Sequence, residues 1–107
     1  MVADAKIFNP ESSQNTTYLA KGFRQIYDYT KDYNEPFGYL VIFKTCTDDL
    51  SVSMPQQESS IPFITYNNKT IFFVVVDICE YEETASKRGK LKSYELTSAE
   101  LIEALSQ

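Results

Sequence analysis

Apolar and polar positions divide this chain into short, well-punctuated segments. Residues 2–8 (Val2-Ala3-Asp4-Ala5-Lys6-Ile7-Phe8) read as a buried strand closed by Asn9-Pro10. A polar loop follows, with Asn15 or Thr16 placed to cap a helix. In the next stretch Leu19, Phe23, Ile26, Thr30 and Tyr33 recur at helical spacing, which predicts an amphipathic helix with these residues on its core face. Asn34-Glu35-Pro36 stops it, because the residue before proline is driven out of helical geometry. Residues 39–44 carry branched and aromatic side chains on both faces, the signature of a central parallel strand. Strand, helix and strand make one crossover unit.

Residues 45–60 are rich in serine and glutamine and read as a long surface excursion. Residues 62–66 and 70–78, joined by Asn67-Asn68-Lys69, predict a hairpin with an asparagine-based turn. The unbroken apolar run 71–76 predicts a strand covered on both faces. Residues 80–92 read as a charged loop, acidic and then basic. A short last helix starts at a capping box, Thr97 with Glu100, flanked by Leu96 and Leu101 as a hydrophobic staple. No repeat is visible.

Composition narrows the chemistry. At 107 residues the chain fits a single domain, 1–107, and 43% hydrophobic residues are enough for one core. Its net charge of −5 argues against a general nucleic-acid coat protein. It leaves a nuclease open, because a metal site itself demands carboxylates. There is no histidine, so serine–histidine and cysteine–histidine catalysis are excluded. Cys46 and Cys79 form one bridge at most, and without a signal-like start a reduced, cytoplasmic chain is expected.

Candidate chemistry centres on Asp4 and Lys6. Side chains two apart on a strand share a face and lie about 7 Å apart along it. An acid and an ammonium so placed suit phosphodiester hydrolysis, in which a divalent cation activates water and a lysine steadies the developing charge. Ala3, Ala5 and Ile7 take the opposite face, where the alanines would admit a close helix. Gln25 and Tyr29 lie one turn apart on the helix, and Tyr18 and Gly22 extend their stripe. A glycine inside a helix costs roughly 1 kcal/mol relative to alanine, so Gly22 makes sense where something approaches closely. Each pattern alone is common: an acid–x–lysine triplet arises readily by chance, and Gln25 with Tyr29 also fits an ordinary polar helix flank.

In order, however, these residues resemble the PD-(D/E)XK nuclease superfamily, in particular the RecB-nuclease-like and restriction-endonuclease-like branches. The resemblance covers residues 2–44: Asp4-Ala5-Lys6 on a strand, Gln25 to Tyr29 on a helix, then Gly38 to Phe43 on a second strand. It implies an α/β, restriction-endonuclease-like mixed sheet with a strand–helix–strand unit, a following hairpin and a short C-terminal helix. It also implies a metal-dependent deoxyribonuclease of restriction, defence or repair type. Asp4 would ligate Mg²⁺ or Mn²⁺, Lys6 would assist the attacking water, and Gln25 and Tyr29 would orient the site or hold the DNA backbone. Lys87, Arg88 and Lys90 are further candidate phosphate contacts. The family's other metal carboxylate precedes the acid–x–lysine strand, and only three residues stand before Asp4 here. The chain is therefore expected to be the C-terminal portion of a larger domain, with an incomplete core and inactive alone. Asp77 is a remote candidate for a relocated ligand. The alternative is a non-catalytic nuclease-fold module that assembles through its exposed sheet edge, as a homodimer or with the missing N-terminal part.

Overall fold

The computed structural model describes residues 2–54, 61–79 and 92–106. It has the α/β character that the pattern predicts. In chain order the elements are β1 (Val2–Phe8), a 3-10 turn (Pro10–Ser12), α1 (Thr16–Asp32), β2 (Phe37–Lys44), β3 (Asp49–Ser53), β4 (Phe63–Tyr66), β5 (Lys69–Asp77), β6 (Ser93–Thr97) and α2 (Ser98–Leu105). A four-stranded mixed sheet runs β1-β2-β5-β4, with β1, β2 and β5 parallel and β4 antiparallel to β5. β3 and β6 form a separate two-stranded parallel sheet.

Local chemistry fixes the boundaries. The Asn15 side chain caps α1 by accepting the Tyr18 amide at 3.1 Å. Asn34 takes the left-handed conformation just past the helix end, at φ 50°. The β4–β5 turn places Asn67 and Asn68 at φ 49° and 66°, the paired positive values that a tight hairpin needs. The Asn67 amide then donates to the Tyr27 hydroxyl at 3.0 Å and ties the hairpin to α1. At α2, Thr97 accepts the Glu100 amide at 3.3 Å, and Leu96 and Leu101 on either side are fully buried.

The core lies on one side of the main sheet. Leu19, Phe23 and Ile26 of α1 pack with Leu40, Ile42, Ile71 and Phe73, the two phenylalanine rings stacked at 5.8 Å. Leu96 and Leu101 close the far side of α1. Gly38 lets helix and sheet meet: a Cβ there would stand 2.7 Å from Ile26 Cγ2 and 3.0 Å from Ile71 Cδ1.

Several expectations need correction. β1 is an edge strand with alternating burial, and α1 covers its Asp4/Lys6 face while Ala3 and Ala5 stand exposed. The close helix approach is made by Gly22, on α1 itself, and not by the alanines. Tyr33 is 70% exposed because the helix ends before it can turn inward. The polar stretch 45–60 contains β3, and the residues just before α2 form β6. In β5 only Ile71 and Phe73 are buried; Phe72, Val74 and Val76 are only partly covered.

Candidate functional site

Parallel pairing of β1 with β2 turns Val2, Asp4, Lys6 and Phe8 toward α1. Phe8 enters the core, and Lys6 meets the helix where its side chain is smallest. The lysine stem lies across Gly22: a Cβ at that position would be 3.1 Å from Lys6 Cγ and 3.2 Å from Cε. That contact gives the helical glycine a physical reason. The Lys6 ammonium pairs with Asp4 Oδ2 at 3.3 Å and stands 5.7 Å from the Tyr18 ring centroid, within cation–π range. Asp4 Oδ1 accepts the Ala5 amide at 2.9 Å.

Lys6 opens into a cleft of about 560 Å³ whose lining includes Tyr18, Gly22, Gln25 and Tyr29. The Gln25 amide donates to the Tyr29 hydroxyl at 3.0 Å, so the two act as one hydrogen-bonded unit on the cleft wall. Three of the four expected site residues thus share one cleft. Asp4 is not part of its lining and reaches it only through the Lys6 ion pair. Lys21 and Arg24 on the rim are matched by Asp28 and Asp32, and Arg24 lies 4.0 Å from Asp28. Lys6 is therefore the cation that the fold positions, and the rim adds little net charge. Lys87, Arg88 and Lys90 lie outside the described residues.

Asp77 cannot complete a site with Asp4. β5 lies two strands away from β1, and Asp77 is aligned through Lys44 with Phe8, which puts it about 16 Å from Asp4 by strand geometry. It instead pairs at 3.3 Å with Lys44, a lysine only 3% exposed whose ammonium also donates to the Cys46 carbonyl at 2.7 Å. The sequence pattern alone does not announce this pair of a buried lysine and a half-exposed aspartate. Strand alternation could have found the lysine, because Lys44 shares the core face of β2 with Gly38, Leu40 and Ile42.

The Mg²⁺ or Mn²⁺ ion that the family resemblance implies was tested against these residues. No group of three or more histidine, cysteine, aspartate or glutamate side chains converges among the described residues. Asp4 is a single carboxylate with one oxygen on an amide and the other on Lys6. The described residues do not by themselves fit a resident divalent cation.

A second depression of about 520 Å³ lies at the carboxyl ends of the parallel strands, lined by residues that include Asn9, Cys46, Asp48, Cys79 and Lys92. Neither cysteine is in a disulfide, and burial pushes the Cys46 thiol pKa above its ordinary value. Among the described residues no helix is long and apolar enough to cross a membrane.

Comparison with known protein families, with curated proteins and with solved structures finds no match to this chain.

Proposed function

We propose that this chain forms the lysine-bearing part of a PD-(D/E)XK-type deoxyribonuclease site, of restriction, defence or repair type. The observation that carries this reading is the convergence of Lys6 from β1 with Gln25 and Tyr29 from α1 on one cleft. Their order in the sequence carried the resemblance. Their meeting in space is a separate fact, set by the β1–α1 packing at Gly22.

Lys6 offers N–H donors and positive charge to a phosphodiester, where charge on the scissile group must be offset. Its ammonium is held by Asp4 on one side and the Tyr18 ring on the other, so little order remains to be imposed on binding. Gln25 and Tyr29 add polar groups fixed by their mutual hydrogen bond, suited to backbone oxygens. Cleavage then requires a further carboxylate from outside the described residues.

The test uses duplex DNA. In any form of the chain that cleaves DNA, Lys6→Ala and Asp4→Asn should each abolish Mg²⁺-dependent nicking while circular dichroism is unchanged. In this chain alone, Lys6→Ala should weaken DNA binding and lower the slope of log affinity against log salt by about one. Binding and cleavage indifferent to Lys6→Ala would refute the reading. Efficient Mg²⁺-dependent, Lys6-sensitive nicking by this chain alone would refute the need for an outside carboxylate.

A second reading, a non-catalytic assembly module, is favoured by the position of β1. It is an edge strand, and among the described residues no strand pairs with its outer side. Proteins rarely leave such an edge bare.

A further inference from the structure

The face of the main sheet turned away from α1 is apolar except for two threonines at one end. Strand register assembles it from Ala3, Ala5 and Ile7 of β1; Phe37, Tyr39, Val41 and Phe43 of β2; Phe72, Val74 and Val76 of β5; and Phe63 of β4. None of these residues is buried, and none belongs to or packs against the hydrophobic core. Phe37 is 48% exposed and Ile7 42%. Ala3 and Ala5 are exposed as well, and Phe72 stands at the centre of the Phe37, Tyr39 and Phe63 rings at 5.2 to 6.2 Å. Among the described residues no charged side chain interrupts the surface, and the hydroxyls of Thr65 and Thr70, at the end of the face beside Phe37, bond to each other at 2.9 Å. Parallel strands with unbroken apolar runs are normally covered on both faces. Here the described elements cover one.

We propose that a second copy of this chain covers that face, in an isologous, sheet-on-sheet dimer. Two features select this occupant. The first is size. Three strands of about seven residues and the four residues of β4, at about 4.8 Å between strands and about 3.3 Å per residue, give a flat area of roughly 400 Å² per copy. Two copies bury about 800 Å² as flat sheets, and the pleat and projecting rings raise the pair toward the roughly 1,000 Å² that separates specific interfaces from incidental ones.

The second is shape. The two edges of the face differ in bulk: β1 presents Ala3 and Ala5, β2 carries Phe37, Tyr39 and Phe43, and β4 presents Phe63, which lies in register with Ala3 through Tyr39 and Phe72. A two-fold axis along the strands, midway between facing sheets, lays β1 of one copy over β4 of the other and β2 over β5. Phe63 of each copy then stands over Ala3 of the other, a contact made twice, as a self-complementary interface requires. Aligned sheets packed about 10 Å apart accommodate this arrangement.

This dimer is independent of the catalytic reading and distinct from assembly through the β1 edge, because it uses the open face of the sheet. The test is sedimentation velocity on the unmodified chain and on Ala5→Arg, from about 1 to 100 μM, the range expected of a modest interface. Ala5 is exposed in the single chain, so arginine there leaves the core untouched, while in the dimer it buries two unpartnered charges. The unmodified chain should sediment at twice its 12.3 kDa mass. Ala5→Arg should dissociate with a Kd raised at least about 100-fold and an unchanged circular dichroism spectrum. Should Ala5→Arg fail to fold, Ala3→Arg on the same face repeats the test. A chain that stays monomeric throughout the range overturns the proposal. So does a dimer indifferent to arginine on this face, an outcome that would leave pairing through the β1 edge standing.

Discussion

Gly22 and Gly38 both lie where α1 meets the sheet, yet alanine should have opposite consequences at the two. At Gly38 the new Cβ would stand 2.7 Å from Ile26 Cγ2, 3.0 Å from Ile71 Cδ1 and 3.1 Å from Thr30 Cγ2. Carbon pairs rest at about 3.5–4.0 Å, so three contacts must each open by roughly 0.5–1 Å. All three neighbours are fully buried between helix and sheet and have no free volume to enter. Overpacking of this kind costs about 1–3 kcal/mol, and the lost glycine entropy returns less than 1 kcal/mol of it. At Gly22 the Cβ would meet only the flexible stem of Lys6, at 3.1 and 3.2 Å. Shifting that stem off its rotamer costs about 0.5–1.5 kcal/mol, against roughly 1 kcal/mol gained in helix propensity.

Gly38→Ala should therefore lose about 2 kcal/mol in urea unfolding, with Tm lower by roughly 10 °C at fixed protein concentration. Gly22→Ala should stay within about 0.5 kcal/mol of the unmodified chain. Its effect should appear instead at the cleft, as weaker DNA binding, because the ammonium moves with its stem. Equal destabilisation by the two substitutions would refute the assignment of Gly22 to Lys6. A neutral Gly38→Ala would refute the helix–sheet contact at that point.

Three further outcomes are expected. Asp77→Asn should cost about 1–3 kcal/mol in urea unfolding, because it removes the carboxylate partner of a buried ammonium, whereas Asp32→Asn on the exposed cleft rim should change stability by less than 0.5 kcal/mol. Asn15→Ala should lose about 1 kcal/mol with the α1 cap, as read from thermal unfolding, and Asn15→Ser should recover most of it. In a Cys79→Ser background, Cys46 should react with a thiol reagent at pH 8 more slowly than an unhindered cysteine, because burial raises its pKa. The same shift fixes the sign of a pH effect on stability. The folded state holds the Cys46 proton more tightly than the unfolded chain, so this contribution is complete below the ordinary thiol pKa and is lost as pH rises through the raised value. A stability curve flat above pH 9 in the unmodified chain but falling in Cys46→Ser would contradict it.

Elements marked by local chemistry could be read directly from the sequence. The Asn15 cap, the Asn67-Asn68 turn and the Thr97–Glu100 start each announce themselves through side chains that bond their own backbone. β3 and β6 could not be read this way. Their partners lie far apart in sequence, and β3 (Asp49–Ser53) alternates leucine and valine with serine in a pattern that a polar loop shares. The candidate site was legible in part for the same reason. Gln25 and Tyr29 sit one helical turn apart, so their contact is local. That Lys6 faces them, and that Gly22 exists for Lys6, depends on which face of β1 the helix covers. The two alanines made the wrong face look inviting. What decided it was Phe8, which shares the parity of Lys6 and must be buried.

That parity separates the two proposals on a single strand. Asp4 and Lys6 point to α1 and the cleft; Ala3 and Ala5 point to the open face. Because strand side chains alternate strictly, neighbouring substitutions act in different compartments. Lys6→Ala leaves the open face unaltered, and Ala5→Arg leaves the cleft lining unaltered. Dimerisation should then be blind to Lys6→Ala. If DNA binding survives Ala5→Arg, each chain carries a self-sufficient cleft. Loss of DNA binding together with the dimer would contradict this separation, because α1 lies on the outer side of each sheet and the dimer's two clefts face away from each other.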